Sequence, residues 1–142
     1  MTDSGREFHK PVRRPAELFD RLFAADRFED ILAALEADGG EWAAKELATL
    51  RAKSPQSCKV SLRLVVQGRD HADFADEMRV EYGVGAHVVQ RHDFIEGVRA
   101  LIVDKTNDPR WEPATPEGVS DGLIDQIFAP LPDGEAWQPL RL

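Results

Sequence analysis

The sequence predicts an all-α protein of about seven short helices joined by short loops. Three observations carry this. Apolar residues recur at i, i+3 or i+4 and i+7 in one segment after another. Residues that start and stop helices stand between those segments, such as Ser54-Pro55 and Gly39-Gly40. No segment shows the alternation and hairpin turns of a strand pair.

Taken in order, residues 1–14 are polar and aperiodic and read as a poorly ordered tail, leaving 15–142 as one helical domain. Pro15 suits the first turn of a helix through Leu18, Phe19, Leu22 and Phe23. Asp26 with Glu29 three residues on forms a capping pair, and Phe28, Ile31, Leu32 and Leu35 make the buried stripe of the second helix. Ala43, Leu47 and Leu50 form that of the third, with Trp42 beside them. Ser54 caps a fourth helix with Pro55 at its first position, and Cys58, Leu62, Val65 and Val66 mark its apolar side until Gly68. Phe74, Met78, Tyr82, Gly85 and Val89 align along a fifth, which Gly83 and Gly85 weaken by about 1 kcal/mol each. Asp93 and Glu96 form a second capping pair ahead of Phe94, Val98, Leu101 and Ile102, and Lys105 closes that helix where the macrodipole favours a cation. A proline-punctuated connection through Pro109, Pro113 and Pro116 leads to a last helix with Val119, Leu123, Ile127 and Phe128.

The chain has 142 residues, a net charge of −8 and one cysteine. That length suits a single domain able to bury roughly two-thirds of its unfolded surface. The acidic balance argues against nucleic acid and anionic membranes as partners. No apolar run is long enough to span a bilayer, and the first residues lack the apolar core of a signal peptide. A lone Cys58 excludes an internal disulfide and fits a reducing cytoplasm. The four histidines lack metal-binding spacing.

The segment from His92 to Lys105, HDFIEGVRALIVDK, followed by Pro109-Arg110-Trp111-Glu112-Pro113, is more specific than an amphipathic helix needs to be. With Phe19-Asp20-Arg21-Leu22-Phe23, Phe28-Glu29-Asp30-Ile31-Leu32, Ser54 to Arg63, Val80-Glu81-Tyr82 and Phe128-Ala129-Pro130-Leu131, in that order and spacing, it resembles the C-terminal portion of the 3-hydroxyisobutyryl-CoA hydrolases. These are a branch of the crotonase, or enoyl-CoA hydratase/isomerase, superfamily. Gln56, Cys58 and Gly83 depart from its usual Thr, Leu and Arg.

The resemblance implies acyl-CoA thioester hydrolysis in valine breakdown for an intact relative, with coenzyme A as part of the substrate and no covalently bound cofactor. In that family a ββα core carries the oxyanion hole and the catalytic acids. No glycine-rich loop here offers two converging N–H donors. The expectation is therefore a helical unit that is not catalytic alone. It would dock on a separately encoded crotonase core or on copies of itself; an independent interaction module without CoA chemistry is the alternative. The resemblance also points to Lys105 as a ligand of the CoA phosphates, as in crotonases with a lysine just after the corresponding helix. Here it stands one residue further along, about 100° around an α-helix. Asp93 and Glu96 read as caps rather than an acid–base pair, Arg63 and Arg99 as structural, Cys58 as core, and Trp42, Trp111 and Trp137 as packing residues.

Overall fold

A computed structural model describes residues 16–140. The expected tail, and Pro15 as a helix start, lie outside the described residues. Within them the chain is all-α: α1 Ala16–Leu22, α2 Phe28–Asp38, α3 Glu41–Arg51, α4 Pro55–Gly68, α5 Phe74–Val88, α6 His92–Val98 and α7 Asp121–Ile127. A π-helical segment, Arg99–Val103, continues α6, and a 3-10 turn, Pro116–Gly118, precedes α7.

Two apolar clusters hold these helices. The first gathers Leu22, Ile31, Leu35, Ala43 and Leu47 from α1, α2 and α3. Its α2–α3 corner depends on Gly39, whose φ of 65° lies where only glycine is unstrained. Phe23 meets Trp42 edge-on at 6.3 Å, so Trp42 is a packing residue. The second cluster joins Val60 of α4, Val84 of α5, and Val119, Ile124 and Ile127 around α7. Helix α4 belongs to both, sending Leu62 to the first and Val60 and Leu64 to the second. Arg63 locks α4 to α7 through Asp125 at 2.6 Å and lies 4.4 Å above the Phe128 ring, the structural role expected of it.

The caps divide. Ser54 accepts from the Ser57 N–H at 3.1 Å with Pro55 behind it, as the sequence indicates. Asp26 does not cap α2. Arg27 occupies that position, and Glu29 turns away to Lys59 at 2.5 Å, an ion pair between α2 and α4 that outcompetes a local capping box. Helix α5 buries a different face from the one expected. Val84 is buried with Val80 and Val88 beside it, whereas Phe74, Tyr82 and Val89 are exposed. Both stripes are apolar at helical spacing, and α7 packs on the valines.

Candidate functional site

The segment with the most specific sequence is also the least covered by its own chain. Phe94, Leu101 and Ile102 were expected to be buried, yet they are 45%, 52% and 65% exposed. Val98 is only partly covered. This face forms one wall of an apolar groove of about 840 Å³. Phe28 and Ile31 of α2 and Leu62 of α4 form the opposite walls. Cys58 also lines the groove rather than the core, and burial pushes its thiol pKa up against the opposing charge of Lys53. It is held as a thiol, the unreactive form.

Polar groups do much to hold α6 in place. Asp93 is 4% exposed and sits one residue inside the helix, whose N-cap is Arg91. The capping-box expectation is thereby corrected. Its carboxylate accepts the Ser54 hydroxyl from the start of α4, the Glu112 N–H at 2.8 Å and the His92 Nδ1–H at 3.1 Å. Ser54 and Glu112 are distant from Asp93 in sequence, and the helix dipole still favours the charge there. The Asp93 hydrogen bond raises the pKa of His92, outweighing the lowering that desolvation brings. The Ser54 hydroxyl donates to the Asp93 carboxylate while accepting the Ser57 N–H, so it serves as both clamp and cap.

Glu96 is no cap either. It holds Arg99 with both oxygens, at 2.8 and 2.7 Å, and accepts the Arg110 N–H at 2.8 Å. These contacts, Arg99 foremost, lower its pKa to about 2. Arg99 also reaches Asp104 at 2.8 Å, tying the π segment to the loop beyond it. Trp111 lies over Gly97 and donates to the Ala52 carbonyl at 3.1 Å. The loop is thus fastened to α3 and α6 together.

Lys105 does not end a helix. The last regular turn closes at Val103, and Lys105 follows Asp104 with a φ of 54°. Its side chain is exposed, its carbonyl accepts from Asn107 Nδ2 at 3.2 Å, and Asn107 borders the groove. The Asp104 N–H bonds back to Arg99, five residues earlier, at 2.8 Å. A π turn takes up one residue more than an α turn. The extra residue before Lys105 therefore does not carry it about 100° around a regular helix, as an α-helical reading requires.

Sequence reasoning missed the Asp93 clamp. Its partner Ser54 lies 39 residues away, and no local pattern encodes that contact. Among the described residues no helix is long and apolar enough to cross a membrane.

Among the described residues, then, the site is an apolar face of an all-α unit, left open beside a groove and held out by polar clamps. Comparison with known proteins gives it a family. The sequence profile described as enoyl-CoA hydratase/isomerase matches residues 2–128, and the chain belongs to that family. It is 38% identical over 115 residues to the mitochondrial 3-hydroxyisobutyryl-CoA hydrolase of Gallus gallus, covering 81% of this chain and 30% of that protein. It is 36% identical over 124 residues to 3-hydroxyisobutyryl-CoA hydrolase 1 of Arabidopsis thaliana, covering 81% of this chain and 32% of the relative. Among solved structures, a carnitinyl-CoA dehydratase from Mycobacterium thermoresistibile superposes with a TM-score of 0.77 at 31% identity, covering 87% of this chain and 36% of that one. An enoyl-CoA hydratase from Rhodobacter sphaeroides gives 0.77 at 33% identity, with 85% and 35% covered. The chain thus spans about a third of the length of these relatives. The resemblance to 3-hydroxyisobutyryl-CoA hydrolases drawn from HDFIEGVRALIVDK is met by both curated relatives.

Proposed function

We propose that these helices form the covering part of an acyl-CoA thioester hydrolase of the 3-hydroxyisobutyryl-CoA type. The catalytic groups would come from a crotonase core packed against the exposed face of α6 and the π segment. The observation that carries this is the position of Phe94, Leu101 and Ile102, which are apolar, exposed and set along an apolar groove. Large exposed apolar patches mark surfaces that another body covers. The helices alone would not hydrolyse a thioester, since the Ser54 hydroxyl at the groove is spent on the Asp93 clamp, whose carboxylate also holds the Glu112 N–H. Lys105 would reach a CoA phosphate from its exposed turn beside the groove, where a mobile ammonium suits a polyanion. A reducing compartment such as the cytoplasm suits the single unpaired thiol.

The test is reconstitution. The 142-residue chain is mixed with a 3-hydroxyisobutyryl-CoA hydrolase lacking its equivalent helices, and release of free thiol from 3-hydroxyisobutyryl-CoA is followed. Activity that appears only in the mixture supports the proposal. A chain that neither binds the core nor restores activity overturns it. A stable homo-oligomer without affinity for core or CoA would instead identify an independent interaction module.

A further inference from the structure

A second pocket lies apart from the groove, where α5 ends and α6 begins. It measures about 470 Å³ and is lined by Gln56, His87, Gln90, Arg91, His92 and Glu112, with Leu123 at its edge. Gln56 is the unusual member. It sits in the first turn of α4 and is only 3% exposed. Among the described residues no protein group hydrogen-bonds its carboxamide. No fully buried side-chain polar atom among the described residues lacks a partner, so the amide is not wholly closed off, and Gln56 lines this pocket. A carboxamide is costly to bury unless something answers its N–H and C=O.

The neighbouring side chains point to the character of that partner. Arg91 lines the pocket half-buried, and its guanidinium pairs with no carboxylate among the described residues. His92 spends Nδ1–H on Asp93, leaving Nε2 toward the pocket at 4.0 Å from Glu112, too far for a hydrogen bond. The remaining residues are largely occupied or peripheral. Gln90 Nε2 donates to the Ala86 carbonyl at 2.8 Å, His87 Nε2 donates to the Ala129 carbonyl at 3.0 Å, and the Glu112 side chain is 79% exposed. The unspent groups are a guanidinium fork, an amide N–H and, when the His92 ring carries both protons, an imidazolium Nε2–H. A guanidinium fork matches the two oxygens of a planar or tetrahedral oxyanion.

We infer that this pocket binds the oxyanion of a small molecule, a carboxylate or a phosphate, with Arg91 and Gln56 as the principal donors and His92 completing the set. The inference does not depend on thioester chemistry or on a core partner, so it stands or falls separately from the proposed function. The test is titration of the 142-residue chain with inorganic phosphate and, separately, with acetate, following backbone amide shifts by NMR. Saturable shifts of Gln56, Arg91 and His92 are expected, and the tighter of the two anions identifies the oxyanion class. Arg91→Gln should weaken binding by about tenfold or more, the loss of one charge-assisted hydrogen bond. Gln56→Leu should weaken it comparably while leaving the fold intact, because an unanswered amide is replaced by an apolar group of similar shape. Arg91 is partly exposed, so R91Q decides the question even if Q56L were to unfold. Absence of saturable binding for both anions, or binding that R91Q leaves unchanged, overturns the inference.

Discussion

The α2–α3 pair and the α6–π segment are written in the same pattern and end in opposite states. Phe28, Ile31 and Leu35 repeat at helical spacing, and so do Phe94, Val98, Leu101 and Ile102. The first stripe is closed within the chain: Leu35 is wholly buried against α1 and α3. The second lies open, its helix anchored by Asp93, Glu96 and Trp111. An amphipathic pattern announces that a face is meant to be covered; it does not say by what. Where the cover is local, apolar packing fixes the helix. Where it is not, polar contacts have to hold the helix so that the apolar face stays available.

The largest stability loss should come from the closed region. Leu35→Ala should cost about 3 kcal/mol in urea unfolding, since it leaves a cavity in a packed core. A loss below about 1 kcal/mol would mean that the first cluster is loosely packed and that the contrast is false. Asp93→Ala should cost nearly as much, about 2–3 kcal/mol, because it strands the buried Ser54 hydroxyl and releases the Glu112 N–H. It should also change the fluorescence of Trp111, fastened to the same loop, more than that of Trp42 in the first cluster. Single-tryptophan variants separate the two. Equal changes would show that the clamp is not local to the open region.

The two regions also differ in how far the sequence reveals them. The closed one was legible almost residue by residue: the stripes of α2 and α3, the Gly39 stop and the Ser54 cap all rest on contacts within a few residues. The capping failures share one cause. Asp26, Asp93 and Glu96 have capping-box spacing, yet the acidic residues of these pairs are drawn to groups far along the chain or to a neighbouring cation: Glu29 to Lys59, Asp93 to Ser54 and Glu112, Glu96 to Arg99. Helix α5 is apolar along two faces, so periodicity could not choose the Val80–Val84–Val88 stripe over the Phe74–Tyr82 one. The π turn before Lys105 leaves no mark in composition. The groove was not legible at all, because its walls on α2, α4 and α6 come together only in the tertiary arrangement.

Acid should act on the open region first. Glu96 has an ordinary carboxyl pKa when unfolded and about 2 when folded. Its folded-state preference is for the charged form, so the stabilisation is complete above the unfolded value near 4.5 and is lost as pH falls through about 2. Hydrogen exchange of the Arg110 amide, bonded to Glu96, should therefore accelerate across that window relative to the Leu35 amide within α2. Solvent screens an exposed pair, so this effect should be smaller than that of Leu35→Ala or Asp93→Ala and should shrink further in salt. Parallel acceleration at both amides would mean that the chain opens as one unit.

Ile102→Glu should have the smallest effect on stability and is the sharpest test of the comparison. Ile102 is 65% exposed, and a substitution at such a site usually changes unfolding free energy by no more than about 0.5 kcal/mol. If its face awaits a partner, the same change should weaken association with a crotonase core by tenfold or more, since it places a charge in the middle of an apolar contact. Leu35→Ala should behave oppositely: destabilising, yet leaving affinity for the core nearly intact under conditions where the variant stays folded. Stability and association would thus be governed by separate residues in one chain. An I102E chain that is clearly destabilised, or that binds the core as well as the unaltered chain, would show that Ile102 serves the fold itself and that the open region is closed in solution.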